Sequence, residues 1–419
     1  MRFQKWLQSQ RQSFQILSKA ERKFLISYFI FGLAAPIAFT YMNTYLWRVN
    51  EDPTLLILYN AGFFLALWFG FQLNTFLLRY TRTSVLYTIG SVMQGVVPFL
   101  IVLLGGTVIT YVFPLGLVLG LAGGLYWANR NYLVSKVTAG THRFYFLSLE
   151  SVADTVAGII APITIGWIIV FGEVHGFYTV DGAYRFVTVL SILMLVGAGL
   201  VVQSASIPKD PDPKTFLLRK PGKAWNRLRL LEVAHGFIHG IESVLPVIIT
   251  LQFLGAEGTV GTIQTITALV ATIILALLGR HLKHKHHLFI LLFWLGGTLI
   301  GSALFATLFS AAGAVAYFAF NALTGTFRWA SLSTILYEVI DQVTAHSKVH
   351  RVLYIMDREV FLNIGRLLGL LLIFALTTFS SSVGIRFGLL FIVGGQFALI
   401  IIARPLLSSI KTGTLFPSA

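Results

Sequence analysis

Long apolar runs alternate with short polar segments along almost the whole chain of 419 residues. A helix that crosses a membrane needs about 20 mostly apolar residues, because each residue adds about 1.5 Å along the helix axis. Twelve apolar runs reach this length, at 24–47, 55–79, 83–104, 107–134, 144–172, 183–206, 229–254, 258–280, 286–309, 311–338, 352–379 and 383–405. The pattern therefore predicts an all-α integral membrane protein with twelve transmembrane helices.

The longest polar interruption, residues 207–228, is basic and rich in proline, and it follows the sixth run. Proline and clustered charge both interrupt an apolar helix, so we predict a cytoplasmic linker between two six-helix bundles, 24–206 and 229–405. A basic cytoplasmic or interfacial segment, 1–23, precedes the first bundle, and a cytoplasmic tail, 406–419, follows the second.

The two halves share a short sequence pattern. Each half has Trp-Ala inside a span, then Val-Thr-Ala, then His-Arg, beginning at Trp127, Val137 and His142 in the first half and at Trp329, Val343 and His350 in the second. Transporters are often built from such internal repeats. The pattern predicts that the halves are parallel repeats of one structure.

Composition and charge strengthen the membrane assignment. Hydrophobic residues make up 56% of the chain and charged residues 11%, with a mean hydropathy of +0.80, which leaves too few charges to cover a water-soluble globule. The net charge of +15 lies mostly in short segments between spans, so no basic block on a soluble module indicates a nucleic-acid partner. Because cysteine is absent, disulfides and thiolate metal sites are excluded.

The distribution of Lys and Arg predicts the orientation. On the side of the N-terminus the two terminal segments and the segments between spans together carry 24 of these residues, and on the other side the segments between spans carry 3, Arg48, Arg185 and Arg386. Short loops rich in Lys and Arg stay in the cytoplasm. We therefore expect a polytopic protein of the plasma (inner) membrane with both termini cytoplasmic.

Two six-helix halves, a basic central loop and cytoplasmic termini resemble the major facilitator superfamily over essentially the whole chain. The loop motif of that family after the second span is degenerate here, because Gly70, Arg79 and Arg82 remain but the acidic residue is missing. The resemblance implies a secondary transporter with a central cavity that opens alternately to each side. Its partners would be the lipid bilayer, a small molecule or ion, and protons; we expect a monomer without a bound cofactor.

Gly158, Pro162 and Gly166 in the span 144–172 resemble the Gly/Pro motif of proton antiporters in that family. This resemblance implies export. The alternative is that these residues only allow close helix packing, which is common in membrane helices.

Four titratable residues follow one face of the span 229–254. Glu232, His235, His239 and Glu242 stand at offsets 0, 3, 7 and 10, which places them within an arc of about 80° on a helix. Charged groups inside a membrane are costly, so each is a candidate for function. Three interpretations remain open: a proton relay, a divalent-metal site for Zn, Mn or Fe, and a polar face that pairs with Arg residues of other helices.

A second set joins the spans 107–134 and 144–172. Arg130 and Asn131 lie near the end of the first span, and Glu150 and Asp154 stand one helical turn apart in the next. The short loop between the spans should bring Arg130 beside Glu150. Arg130 could neutralise one of the two acids, and the other would then carry a proton or pair with a cationic substrate, which is the property that a proton-coupled antiporter needs. The alternative is that these charges form salt bridges that serve only the structure.

The second half repeats this mixture of charges. Its polar residues inside the spans 311–338 and 352–379 include Arg328, Glu359, Asn363 and Arg366. A pocket lined by both signs could bind a zwitterion or an amphiphile with a polar head. An unpaired Arg328 or Arg366 would favour an anion.

The sequence thus favours a proton-coupled transporter of a small solute. The Gly/Pro resemblance favours an antiporter that exports this solute. A divalent-metal transporter that uses the Glu/His face is the alternative, and a membrane-embedded enzyme that uses the same Glu/His pairs is a remote one. We expect no enzymatic activity, since no Walker-type phosphate-binding sequence occurs and no soluble catalytic domain fits between the spans.

Overall fold

The computed structural model describes residue 14 and residues 17–137, 143–205, 222–278, 286–325, 328–345 and 351–412. Every regular element in these residues is helical, so the predicted all-α fold is confirmed. The helices are α1 (Lys19–Asn50), α2 (Pro53–Leu77), α3 (Thr83–Leu104), α4 (Val108–Val137), α5 (Arg143–Val174), α6 (Val180–Gln203), α7 (Lys223–Phe253), α8 (Glu257–Leu278), α9 (His287–Leu308), α10 (Ala311–Gly325), α11 (Arg328–Ala345), α12 (Arg351–Phe379) and α13 (Ser381–Thr412).

Ten helical stretches of the described chain are long and apolar enough to cross a membrane. One of them, Thr83–Val134, contains both α3 and α4, which are joined by a turn at Gly105–Thr107 where Gly105 adopts a φ of 53°. The predicted span 311–338 is divided between the shorter apolar helix α10 and the helix α11, and residues 326–327 between them are outside the described part.

Several helices extend beyond the predicted spans into the polar segments. The helix α7 begins at Lys223, inside the predicted linker 207–228, because Trp225 and Leu228 are buried and continue its apolar face. The helix α1 begins at Lys19, where the side chain of Ser18 accepts a hydrogen bond from the backbone of Glu21 in a capping box. Residues 207–221 of the linker are outside the described residues, and the Val-Thr-Ala to His-Arg segments of both halves are partly outside them.

Proline marks the irregular points of the two helices that open each half. In α1, Pro36 is followed by a π-helical turn, Ile37–Tyr41, and in α7 the helix breaks at Ser243 just before Pro246. Proline lacks a backbone N–H and its ring crowds the carbonyl four residues earlier, so the regular bonding pattern is interrupted at these points.

The same helix pairings occur in both halves. In the first half, α1 packs on α5 and α6, α2 packs on α4, and α3 packs on α4 and α6. In the second half, α7 packs on α12 and α13, α8 packs on α10, and α9 packs on α10 and α13. Between the halves, α5 packs on α8 and α2 packs on α12. The contacts of each half are thus those expected of a duplicated unit.

Glycines allow two of these pairs to approach at backbone distance. A side chain at Gly236 or Gly240 of α7 would collide with the backbone of α12, and one at Gly365 or Gly369 of α12 would collide with the backbone of α7. The pair α2 and α4 is joined in the same way, through Gly62, Gly70, Gly116, Gly120 and Gly124. Small residues four apart on facing helices are typical of close packing in membranes, where helices gain mainly from van der Waals contact.

We call the side of the molecule where α1 begins the near face and the side where α1 ends the far face. At the far face, Arg48 from the end of α1 donates to Glu257 at the start of α8, with Nε–Oε1 at 2.5 Å and Nη2–Oε2 at 2.8 Å. The Tyr184 hydroxyl of α6 also donates to Glu257, at 2.8 Å. These bonds join the two halves at the far face.

Tight packing continues just below this ion pair. The backbone of Glu257 lies against Gly166 of α5, and Gly261 of α8 lies against the carbonyl of Pro162. The Tyr41 hydroxyl donates to the same Pro162 carbonyl. The described contacts therefore join α1, α5 and α8 tightly in the far half of the molecule.

Candidate functional site

The first half holds a cluster of charged and aromatic side chains on α1, α4 and α5. Arg130 pairs with Glu150 at an Nη2–Oε1 distance of 2.6 Å, as the order of the spans predicts. The Arg130 guanidinium lies 5.0 Å from the ring centroid of Tyr28 and 5.9 Å from that of Trp127, and its Nη1 donates to Asn131 at 3.0 Å. Cation–π contacts and the ion pair together hold Arg130 in place.

Asp154 has a different environment from Glu150. Glu150 is buried, whereas Asp154 is exposed and accepts a hydrogen bond of 3.0 Å from the Tyr28 hydroxyl. Among the described residues, no Lys, Arg or His lies within ion-pair distance of the Asp154 carboxylate. The structure therefore separates the two predicted acids into one that is neutralised and one that is accessible without a cation.

In the second half, Glu232 of α7 is buried and pairs with Arg358 of α12 at 3.1 Å. His235 lies one turn further along α7, with its Nδ1 at 3.5 Å from the second oxygen of Glu232. Arg358 also contacts Glu359, with Nη1–Oε1 at 2.9 Å. Arg358 therefore forms ion pairs with two carboxylates, those of Glu232 and Glu359.

Glu242, the last acid of the predicted α7 face, pairs with Arg328 of α11 at 2.5 Å. The Arg328 guanidinium lies 5.1 Å from the ring centroid of Trp294. The predicted alternative in which Arg328 is unpaired is therefore wrong.

Arg366 of α12 differs from the other arginines of this half. Its Nη1 donates to Asn363 at 2.9 Å, and its guanidinium stacks on Phe64 of α2, 4.9 Å from the ring centroid. Its buried Nε has no hydrogen-bond partner in the described part of the chain. His239 packs edge-on against the same Phe64 ring, 5.9 Å between centroids, and its buried Nδ1 also lacks a described partner. Arg366 and His239 therefore meet at a ring that belongs to the opposite half.

The four residues on the predicted face of α7 separate into different environments. Glu232 and Glu242 pair with arginines, and His239 faces α2 across the contact between the halves. Within the described part of the chain, no three His, Asp or Glu side chains are grouped so that they could hold a metal ion. The geometry thus gives no support to the divalent-metal alternative.

Two buried acids, Glu257 and Asp357, were not among the site residues predicted from the sequence. Glu257 is fully buried in its pair with Arg48, and the only signal was that an acid begins a span on the side that has just three basic residues. Asp357 is buried between Arg229 and Trp225, with Arg229 Nη2–Oδ1 at 2.6 Å. Arg229 comes from the first part of α7, which the sequence analysis placed at the edge of the linker.

Comparison with known proteins shows what this chain resembles. No family model matches it. It is 25% identical over 350 residues to the uncharacterized protein YqgE of Bacillus subtilis (strain 168), a match that covers 82% of this chain and 79% of YqgE. Among solved structures, the nucleoside transporter NupG aligns with a TM-score of 0.64 and 12% identity, over 96% of this chain and 100% of that one.

The E. coli fucose:proton symporter FucP, a transporter of the major facilitator superfamily, aligns in its outward conformation with a TM-score of 0.58 and 15% identity. The alignment covers 93% of this chain and 99% of FucP. The chain therefore has the fold of major facilitator transporters, as its span pattern predicts.

Proposed function

We propose that this protein is a secondary transporter that moves a small solute across the membrane by alternating access and is driven by protons. The halves α1–α6 and α7–α13 act as the two bundles. The observation that carries the proposal is the uneven pairing of charges inside apolar helices: Asp154 has no cation within ion-pair distance and Arg366 has no carboxylate, among the described residues. Such groups are costly in a membrane and are retained for ligands or protons.

Asp154 is the proposed proton carrier. Glu150 is neutralised by Arg130, so adding or removing its proton would break an ion pair at 2.6 Å. Asp154 is exposed and bonded only to the Tyr28 hydroxyl among described residues, so it can change its protonation without losing a salt bridge. A proton on Asp154 would also strengthen the hold of Glu150 on Arg130, because the competing negative charge disappears.

We propose that the protein exchanges its solute for protons in the export direction. The resemblance of Gly158, Pro162 and Gly166 to the motif of proton antiporters supports this direction. Gly166 and Pro162 also have a packing role, because both lie directly against the backbone of α8. Gly158 has open space beside it and needs another reason for its small size.

The proposed location is the plasma membrane, with the near face cytoplasmic and the protein acting as a monomer. The charge asymmetry of the segments between spans supports this orientation. Because Arg48 and Glu257 join the halves at the far face, this pair would have to separate before the solute could pass to that side.

Proton flux in sealed vesicles tests the proposed function. The purified protein is reconstituted into liposomes that contain a pH-sensitive dye, and nucleosides, sugars, dipeptides and carboxylates are added singly under an imposed pH gradient. At least one solute should cause proton movement that depends on the protein. Asp154→Asn should reduce this flux to the background while solute counterflow without a gradient persists, because only coupling is lost.

Asp181→Asn is the matched control, since Asp181 is an exposed acid in the first turn of α6 at the far face. It should retain coupled flux. Full proton-driven transport by the Glu150→Gln, Asp154→Asn double variant would show that both acids serve only the structure.

A further inference from the structure

The charged residues discussed on α7, α11 and α12 are not paired one to one. Arg358 contacts both Glu232 and Glu359, and Arg328 contacts Glu242. Although three arginines face three glutamates, Arg366 is left with a side-chain amide, Asn363, as its polar partner among the described residues. The Glu359 carboxylate attracts Arg366 at longer range but is bonded to Arg358.

His239 lies beside Arg366, because the guanidinium and the imidazole both contact the ring of Phe64. Among the described residues, neither the buried Nε of Arg366 nor the buried Nδ1 of His239 has a hydrogen-bond partner. Buried polar atoms normally have partners, and an unpaired cation in low dielectric is more costly than an unpaired neutral group. The missing partner should therefore be an anion.

Resting on the proposed transport function, we infer that the substrate carries an oxyanion, a carboxylate or a phosphate, which binds between Arg366 and His239. The guanidinium presents its donors as a planar fork that matches two oxygens of a carboxylate or phosphate. The imidazole donates from one nitrogen when neutral and from both when protonated. A cationic or neutral group at this position would leave the charge of Arg366 uncompensated.

The position of the site links binding to the movement of the halves. Arg366 and His239 belong to the second half, but both contact Phe64 of α2 in the first half. The close packing of α7 on α12 through Gly236, Gly240 and Gly365 fixes the positions of Arg366 and His239 relative to each other. When the halves rotate, Phe64 moves relative to a rigid anion site, so the same oxyanion can be exposed to either face.

Oxyanion binding to the full chain in detergent tests this inference. Thermal stabilisation is measured with acetate, succinate, inorganic phosphate and glycerol phosphate, each compared with acetamide, succinamide or glycerol, and with potassium chloride at equal ionic strength. At least one oxyanion should stabilise the protein beyond its neutral analogue. Arg366→Gln should weaken that binding by roughly tenfold or more, because a charge-assisted bidentate contact is lost.

Arg386→Gln serves as the matched control. Arg386 of α13 donates to the carbonyls of Ala306, at 2.6 Å, and Thr307, at 3.3 Å, at the far face, so its loss should leave oxyanion binding unchanged. His239→Gln should weaken binding less than Arg366→Gln does. If Arg366→Gln does not fold, Arg366→Lys, which keeps the charge but lacks the fork, should bind more weakly than the wild type.

Stabilisation of Arg366→Gln equal to that of the wild type, or no oxyanion effect beyond potassium chloride, overturns the anion site. The outcome is separate from the transport test. A neutral solute that moves protons in vesicles would preserve the transporter and remove the anion site. An oxyanion that binds through Arg366 but is not transported into vesicles would support the anion site and contradict the proposed transport.

Discussion

At the scale of single residues, the partner of each buried arginine distinguishes structural charges from functional ones. Arg328 has a carboxylate at 2.5 Å, whereas Arg366 has none among the described residues. Removing one member of a buried pair leaves the other charge uncompensated. We therefore expect Arg328→Gln to lower the free energy of unfolding by about 3 kcal/mol. Arg366→Gln should leave it unchanged or raise it, because it removes an unpaired charge.

Thermal melts in one detergent measure this difference. The double variant Arg328→Gln, Glu242→Gln is the control, because removing both charges should restore much of the stability that Arg328→Gln loses. A loss of stability in Arg366→Gln as large as that in Arg328→Gln would contradict the assignment, since it would mean that Arg366 is held by a partner of its own.

At the scale of helices, the glycine contact between α7 and α12 sets the position of His239 and Arg366. A Cβ at Gly365 would meet the carbonyl of Val233 and lie 2.8 Å from the backbone nitrogen of Phe237. Neither backbone atom can rotate away. Gly365→Ala should therefore cost about 1–3 kcal/mol in the free energy of unfolding, the usual cost of overpacking.

Gly394→Ala in α13 is the comparison, because nothing lies within 4 Å of its added Cβ. Alanine favours a helix over glycine by about 0.5–1 kcal/mol, so this variant should be neutral or more stable. The two variants are compared by thermal melting. Equal effects would mean that α7 and α12 can separate without loss.

At the scale of the whole molecule, the far-face ion pair should control which side is open. Glu257 is fully buried and joins Arg48 and Tyr184 across the halves. Glu257→Gln weakens this closure and should shift the population towards a state open at the far face. Because the chain has no cysteine, Ser243→Cys introduces a single thiol that can be labelled. Ser243 lies at the contact between the halves, where its backbone carbonyl accepts a hydrogen bond from the side chain of Asn43.

A membrane-impermeant maleimide applied to intact cells should label Ser243→Cys several times faster in the Glu257→Gln background. Glu173→Gln is the matched control: Glu173 contacts the same Arg48 at 3.6 Å, but its side chain is 48% exposed, so its loss should change labelling little. Faster labelling from the cytoplasmic side instead would reverse the proposed orientation.

Much of the fold could be predicted from the sequence, because span length and hydropathy are local properties. The described part of each predicted span is mostly helical, although α7 starts earlier and the span 311–338 is divided between two helices. The Arg130–Glu150 pair was also predictable, since α4 and α5 follow each other through a short loop. The sequence by itself thus determined an all-helical membrane fold and one ion pair between neighbouring helices.

Only the tertiary structure showed which charged side chains have an oppositely charged partner and which do not. Arg48 and Glu257 are 209 residues apart in the sequence, and Arg328 and Glu242 are 86 residues apart. No local sequence pattern therefore predicts either ion pair. The face of α7 looked like one polar stripe, yet arginines from two other helices take its acids and leave His239 beside Arg366. A carboxylate pairs with the cation that helix packing places beside it. That packing depends on glycine contacts between helices that are far apart in the sequence.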